Sequence, residues 1–414
     1  MKKIIICLAL YMLCWHSFAQ DIPAQIVKSE VFKDEYKHSS IVLVEDDGNG
    51  GVLIVRSYAG GVFSSGLGYY FEHYDASLKL IGEYEYESRI KKEDKKIYRS
   101  ILGIIVNGQE INMIEYVYNK TDKSTICNAL TSTIKDFNFS SKELFRLDSK
   151  DTEDGRSGRD NDFGAQMIIN EDKTAFAITI DIKDKNSETH KLYLFDKALN
   201  QKIDHTFKRD IKDRKFILEN IDVSKDGNTL YLLGKAFTDE VKKKKEGGRY
   251  QYELSRITNT ESKTQVFDTD EYFAASLKTI VFEDRLTCIG FYSERNNNRY
   301  KGISYYELDP KTLAIRKTKL NPFTEQFVID KYGKDKDKEL KNLSFRKIII
   351  TSANEIIFNA EEFYVVTNYV STPQGSYTTT TYHYDDIVSA KLSTSGDIVW
   401  ARNINKRQAT GGDS

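Results

Sequence analysis

The chain has 414 residues, 40% hydrophobic and 12% aromatic, with 61 Lys+Arg against 62 Asp+Glu and a net charge of −1. That near-neutral balance excludes a polyanion binder driven by bulk charge, so no nucleic-acid partner is expected. The apolar share excludes wholesale disorder, and four prolines leave no proline-rich linker to divide the chain.

Residues 1–19 have the three parts of a secretory signal. Lys2 and Lys3 are the basic end, residues 4–13 the short apolar run, and Ser17 and Ala19 the small residues before a cleavage site. Ten apolar residues span only half a bilayer, since a membrane helix needs about 20. Export is therefore expected, to the periplasm, the cell surface or the medium, with a mature chain from Gln20 or Asp21. Leu13 stands where a lipid-attachment motif has a small residue, so Cys14 is not read as lipidated. No later run is long and uncharged enough to span a membrane.

From residue 41 the chain repeats itself. Six times an apolar run is followed by an Asp/Asn/Gly turn and a longer apolar run, in residues 41–58, 101–118, 166–180, 221–237, 277–292 and 346–367. The turns centre near Asp47, Gly108, Asp172, Asp226, Asp284 and Asn354. Each pair precedes a second hairpin, clearest around Asp75-Ala76-Ser77-Leu78, Asp196-Lys197-Ala198-Leu199 and Asp309-Pro310. A turn Asp can accept from backbone two residues on, and Pro310 presets the turn dihedral. Runs of β-branched and aromatic residues bounded by such turns are strands.

Two hairpins per repeat make a four-stranded meander that buries its faces only by stacking on like neighbours. The expected fold is all-β: a β-propeller with six visible blades, at 41–88, 98–148, 163–209, 215–268, 273–320 and 343–405. The domain reading is a signal peptide at 1–19, an N-terminal segment at 20–40, the propeller at 41–405 and a polar tail at 406–414. Residues 25–32 could supply a ring-closing strand. The polar tail offers none, which leaves a six-blade ring and a truncated longer propeller as alternatives.

Val223-Ser224-Lys225-Asp226-Gly227-Asn228-Thr229-Leu230-Tyr231 resembles the S-x-D-G-x-x-L turn of WD-like propeller repeats in exported bacterial proteins, the Tol system included. Asn170-Glu171-Asp172-Lys173-Thr174 is a degenerate second copy without the glycine. The resemblance implies the fold and carries over no catalytic residue.

Two segments interrupt the meander. Residues 321–333 read as a short helix, with Asn321 as N-cap, Pro322 in the first turn, Phe323 and Phe327 on one face and Gly333 as the stop. The charge runs 334–341 and 242–248 read as solvated loops. Cys127 and Cys288, the cysteines left after cleavage, fall in apolar strands of different repeats and are expected as buried, unbonded thiols.

Little chemistry is readable. GxSxG, HExxH, Walker and GxGxxG motifs are absent from the sequence. His38, His73, His190, His205 and His383 have no second histidine at i+3 or i+4, so no local metal pair is read. The acid-rich loop 151–162 does not follow the EF-hand spacing. No catalytic, cofactor or metal residue is assigned. The expected function is an exported propeller presenting a surface to a protein or glycan, with Tyr/Phe-rich stretches at 66–71 and 377–384 as contact points. The alternative is a propeller-fold polysaccharide hydrolase or lyase with acidic residues at the axial funnel.

Overall fold

The computed structural model describes residues 27–33, 39–59, 67–88, 97–148, 164–182, 187–212, 215–237, 250–267, 272–294, 299–333, 340, 342–372 and 375–411. Residues 1–19, expected as a signal, the acid-rich loop 151–162, the lysine run 242–248 and nearly all of the charge run 334–341 lie outside these residues. Of those described, 70% are strand and 3% helix.

The strands form six sheets, each an antiparallel meander whose strands neighbour one another in chain order. Blade one is β1 (Ser40–Asp46), β2 (Val52–Ala59), β3 (Leu67–Tyr74) and β4 (Leu80–Glu87). Blade two is β5 (Ile97–Asn107), β6 (Glu110–Asn119), β7 (Ser124–Thr133) and β8 (Ser140–Asp148). Blade three is β9 (Ala165–Ile169), β10 (Ala175–Ile182), β11 (Glu188–Asp196) and β12 (Gln201–Arg209). Blade four is β13 (Phe216–Val223), β14 (Leu230–Phe237), β15 (Tyr250–Ile257) and β16 (Ser262–Phe267). Blade five is β17 (Tyr272–Phe282), β18 (Arg285–Glu294), β19 (Tyr300–Leu308) and β20 (Ile315–Pro322). Blade six is β21 (Leu343–Ile350), β22 (Ile356–Thr372), β23 (Gly375–Leu392) and β24 (Ile398–Ile404), with a fifth strand, β25 (Gln408–Thr410), on β23. Six four-stranded blades in one repeating frame make this the all-β propeller fold that the repeat implies.

Strand composition follows position in the blade. The second strands β6, β10, β14 and β18 are buried along most of their length, and their sequences are near-continuous apolar runs. The fourth strands β4 and β12 alternate, one residue inward and the next to solvent. The turns share a backbone device as well. Leu78, Leu199 and Leu313 all have φ near +60°, and each amide donates to the carbonyl of the turn aspartate, Asp75, Asp196 or Asp309, at 2.8–2.9 Å. Those aspartates accept backbone amides on Oδ1, as Asp309 does from Lys311 and Thr312. The Ser77 hydroxyl, with these amides, holds Asp75 below the ordinary carboxylate range, and the Thr312 and Lys311 amides hold Asp309 there.

The chain divides into two compact units. The smaller is residues 1–94 with 106–112 and 131–140. In it Tyr84 stacks on Phe137 at 5.7 Å, and Phe71 meets Phe137 and Phe139 at 6.0 and 6.2 Å. The larger unit holds the rest of blade two and blades three to six. Its core is a series of layers between consecutive sheets. Phe176, Ile178 and Ile180 of β10 face Ile114 and Tyr116 of β6. The alternate residues Ala175 and Ala177 face Leu230 and Leu232 of β14. Tyr231 and Leu233 then meet Leu277 and Leu286, and Ile289 and Phe291 meet Ile356 and Phe358. Period-two alternation thus gives each middle strand to two cores, and each fully buried large side chain contributes about 1.5–3 kcal/mol. Cys127 and Cys288 lie in separate layers, fully buried and unbonded, as expected.

Three expectations need correction. The helix, α1 (Glu325–Tyr332), starts three residues later than read: Thr324 is the N-cap, its hydroxyl accepting from the Phe327 amide. Asn321 and Pro322 continue β20, pairing with Ile303 and Gly302. Proline is tolerated there because β20 is the outer strand of its sheet. Gly333 does end the helix, at φ 68°, and Phe323 stacks on Phe327 at 4.5 Å. The polar tail is the second correction, since residues 408–410 form β25. The third concerns the N-terminal segment: residues 27–33 form no strand. Phe32 instead lies on the face of blade one, 5.7 Å from the Tyr70 ring and 4.4 Å below the Arg56 guanidinium.

Candidate functional site

Blade six departs from the repeat in one respect. Its middle strands are 17 and 18 residues long, against 8–10 for the middle strands of the other blades. β21 pairs only with residues 356–362 of β22, and β24 only with 387–392 of β23. Residues 363–372 and 375–384 therefore continue as a two-stranded ribbon, about 30 Å long at ~3.3 Å per residue. Its β-branched composition suits an extended chain: Val365, Val366 and Tyr369 are 45%, 36% and 72% exposed, beside a run of threonines at 378–381. Among the described residues no strand pairs with the outer edge of β22 beyond Glu362, or with β23 from 375 to 381.

The root of the ribbon is held by rings and charge. Tyr364 stacks on His383 at 4.6 Å, and the Phe363 ring meets Tyr384 at a tilt, 5.0 Å away. Arg346 lies over both Phe363 and Tyr384 and pairs with Glu361, which Lys406 also contacts. These cations hold the Glu361 carboxyl below its usual range against the desolvation that raises it. On the other side Lys331 of α1 reaches Glu362 and Asp386 at 3.1 and 2.7 Å, so the helix fastens β22 to β23.

A second polar cluster lies between blades four and five. Lys278 on β17 donates to the Glu219 carbonyl at 2.6 Å, and its ammonium is 3.8 Å from the Glu219 carboxylate. Glu219 is the bulged residue of β13, between Leu218 and Asn220. Asn220 donates to Asp222 at 2.7 Å. Burial pushes the Asp222 carboxyl up to about 7, against the pull of Asn220 and Lys278. Lys235 sits 3.7 Å over the Tyr250 ring with Phe237 and Tyr252 around it, and burial pulls its ammonium down.

In blade one, Asp47 accepts from the amides of Asn49 and Gly51 and pairs with buried His73 at 2.9 Å. The His73 contact holds the Asp47 carboxyl low. A groove of about 1080 Å³ runs between residues 28–33 and β3–β4. Its carboxylates Glu72 and Glu85 are occupied, by Arg56 and Tyr74 and by Tyr58 respectively.

Of the residues read from sequence, His73 gains Asp47 and His383 stacks in the ribbon root, while His205 stands apart and His38 is outside the described residues. His190 joins Asp181 and Glu188, with ligand atoms within 4.8 Å of one another. The i+3 and i+4 helical spacings do not reveal this group. Strand spacing puts Glu188 and His190, at i and i+2, on one face, and only the pairing of β10 with β11 adds Asp181.

No family model matches the chain, and no curated protein matches it. The Tol-type resemblance remains a likeness of two turns. Among solved structures the chain is similar to the β-propeller domain of the Trilobed protease from Pyrococcus furiosus. That likeness has 10% identity and a TM-score of 0.39, over 91% of this chain and 97% of that one. An acylaminoacyl peptidase solved with Z-Gly-Gly-Phe-chloromethyl ketone is similar at 10% identity and TM-score 0.41, over 89% of this chain. The Pyrococcus horikoshii acylaminoacyl peptidase is similar at 10% and 0.40, over 87%. This chain spans about half the length of both peptidases, 52% in each case.

Proposed function

We propose that this is an exported, non-catalytic β-propeller that holds a protein partner on the ribbon of blade six. The carrying observation is the ribbon itself: two strands that outrun their sheet, with open edges and exposed Val365, Val366 and Tyr369. Open edges present unpaired N–H and C=O groups in register, which suit an extended segment of another protein adding as a strand. A glycan would draw on stacked rings instead, and the stacked rings here lie at the ribbon's root. Residues 1–19 support export.

A photo-crosslinking residue at position 369 tests this in the exporting cell. The expected result is a discrete protein adduct, lost when the same chain also carries Val365→Lys and Val366→Lys on the exposed ribbon. An adduct unchanged by those two substitutions, or no protein adduct from position 369, would overturn the reading.

The hydrolase or lyase alternative draws on Asp222, whose raised carboxyl is suited to donate a proton near neutrality. Polysaccharide cleavage by the purified chain, lost in Asp222→Asn, would establish it instead.

A further inference from the structure

Between blades three and four the larger unit's core turns polar at one end. Asp181 on β10 stands directly opposite His190 on β11, and Glu188 is two residues from His190 on the same face. One imidazole nitrogen, Nε2, is 2.6 Å from Glu188 Oε1. Glu188 and His190 are 4% and 5% exposed. The ring's other nitrogen, Nδ1, is buried and has no hydrogen-bond partner among the described residues. The same layer continues to Arg209, which stands opposite Glu188 on β12 and donates to Glu253 at 2.9 Å. Glu253 is 2% exposed, and its Oε2 also has no hydrogen-bond partner among the described residues. A buried imidazole nitrogen without a hydrogen-bond partner is an uncompensated loss of hydration that a ligand would relieve.

We infer that Asp181, Glu188 and His190 bind a first-row divalent transition-metal ion, with Zn²⁺ as the best match. The donor set is one imidazole and two carboxylates, which suits zinc or manganese; an all-oxygen set would suit calcium. Ligands on one zinc ion stand about 3–4 Å apart, given bonds of 2.0–2.2 Å, so atoms already within 4.8 Å need only a small contraction. Two strands hold the three side chains in register, and strand geometry fixes them without a loop. Three protein ligands leave a fourth position on the ion for water. The site lies among the middle strands of a blade, away from the ribbon, so its role is to staple β10 to β11.

The test uses the mature chain, freed of metal by a chelator, with ZnCl₂ as the probe. Calorimetric titration should show one equivalent bound with a Kd at or below the micromolar range and a rise in Tm. His190→Gln should weaken binding at least 100-fold, while His205→Gln, on the neighbouring strand, should bind as wild type. Asp181→Asn serves as the second variant should His190→Gln fail to fold, and it should weaken binding at least 10-fold. Failure of the folded wild-type chain to take up zinc would overturn the proposal and leave His190 and Glu188 as an ordinary buried pair. Stoichiometric binding that survives both variants would overturn it equally.

Discussion

Glu283 shows what the repeat asks of single residues. It occupies the first position of the two-residue turn between β17 and β18, at φ 47°, where the matching turn between β5 and β6 has Gly108 at φ 60°. A left-handed backbone costs an ordinary side chain about 1 kcal/mol, and two-residue hairpin turns favour Gly or Asn for that reason. Glu283→Gly should therefore stabilise the chain by roughly 0.5–1 kcal/mol, and Gly108→Glu should destabilise it by a similar amount. Urea unfolding measures both; a loss of stability in Glu283→Gly would refute the account. Asp222 carries a pH dependence. Its folded-state value of about 7 lies above the usual 3.8, so folding favours the protonated acid. That contribution is complete below pH 4 and is lost as the pH rises toward 7. Asp222→Asn should match wild type at pH 4 and exceed it at pH 8, by up to about 4 kcal/mol for a shift of this size. Parallel stability profiles for the two chains would contradict this.

At the scale of elements, strands were legible wherever apolar pattern decided them and illegible where tertiary contacts did. All six blades match their expected limits to within a few residues because alternating or continuous apolar runs set strand position and facing together. The helix start was misread because Asn321 offers a good capping side chain. In the fold that side chain donates to the Gly396 carbonyl at 2.9 Å instead, and the chain stays extended until Thr324. β25 was hidden by its polar composition. It forms because β23 outruns β24 and leaves backbone groups at Tyr382–Tyr384 that Gln408–Thr410 can pair. The aromatic stretch 377–384 falls on β23 with Tyr384 buried, and the length of the ribbon was not legible, since nothing in β22 marks where β21 stops pairing. The buried group of Asp181, Glu188 and His190 depends on cross-strand register, which one strand's sequence does not carry.

For the molecule as a whole, the repeat that makes the fold legible also makes its chemistry hard to read. Blades are specified by turns and apolar runs, and these are spread over the whole chain rather than gathered in a motif. The buried cysteines offer a direct check. Burial raises both thiols, Cys288 to about 12, so neither has thiolate to react with near neutrality. In a chain begun at Gln20 neither should react with a thiol reagent under native conditions, and both should react after unfolding, as absorbance of the released chromophore would show. Fast native labelling would mean that the layers open.

The division of the larger unit's core into closed layers has a consequence for how damage spreads. A cavity cut into one layer removes contacts from two sheets only, and the next layer keeps its own full set. Neighbour-limited coupling of this kind makes the effects of distant lesions additive. It also turns the two thiols into separate gauges, one for the seam between blades two and three and one for the seam between blades four and five. Weakening either seam should expose its own cysteine at a lower urea concentration than the other. A chain so built can lose its grip in one place while continuing to hold in another, and the order in which it lets go is written in which sulfur is first seen.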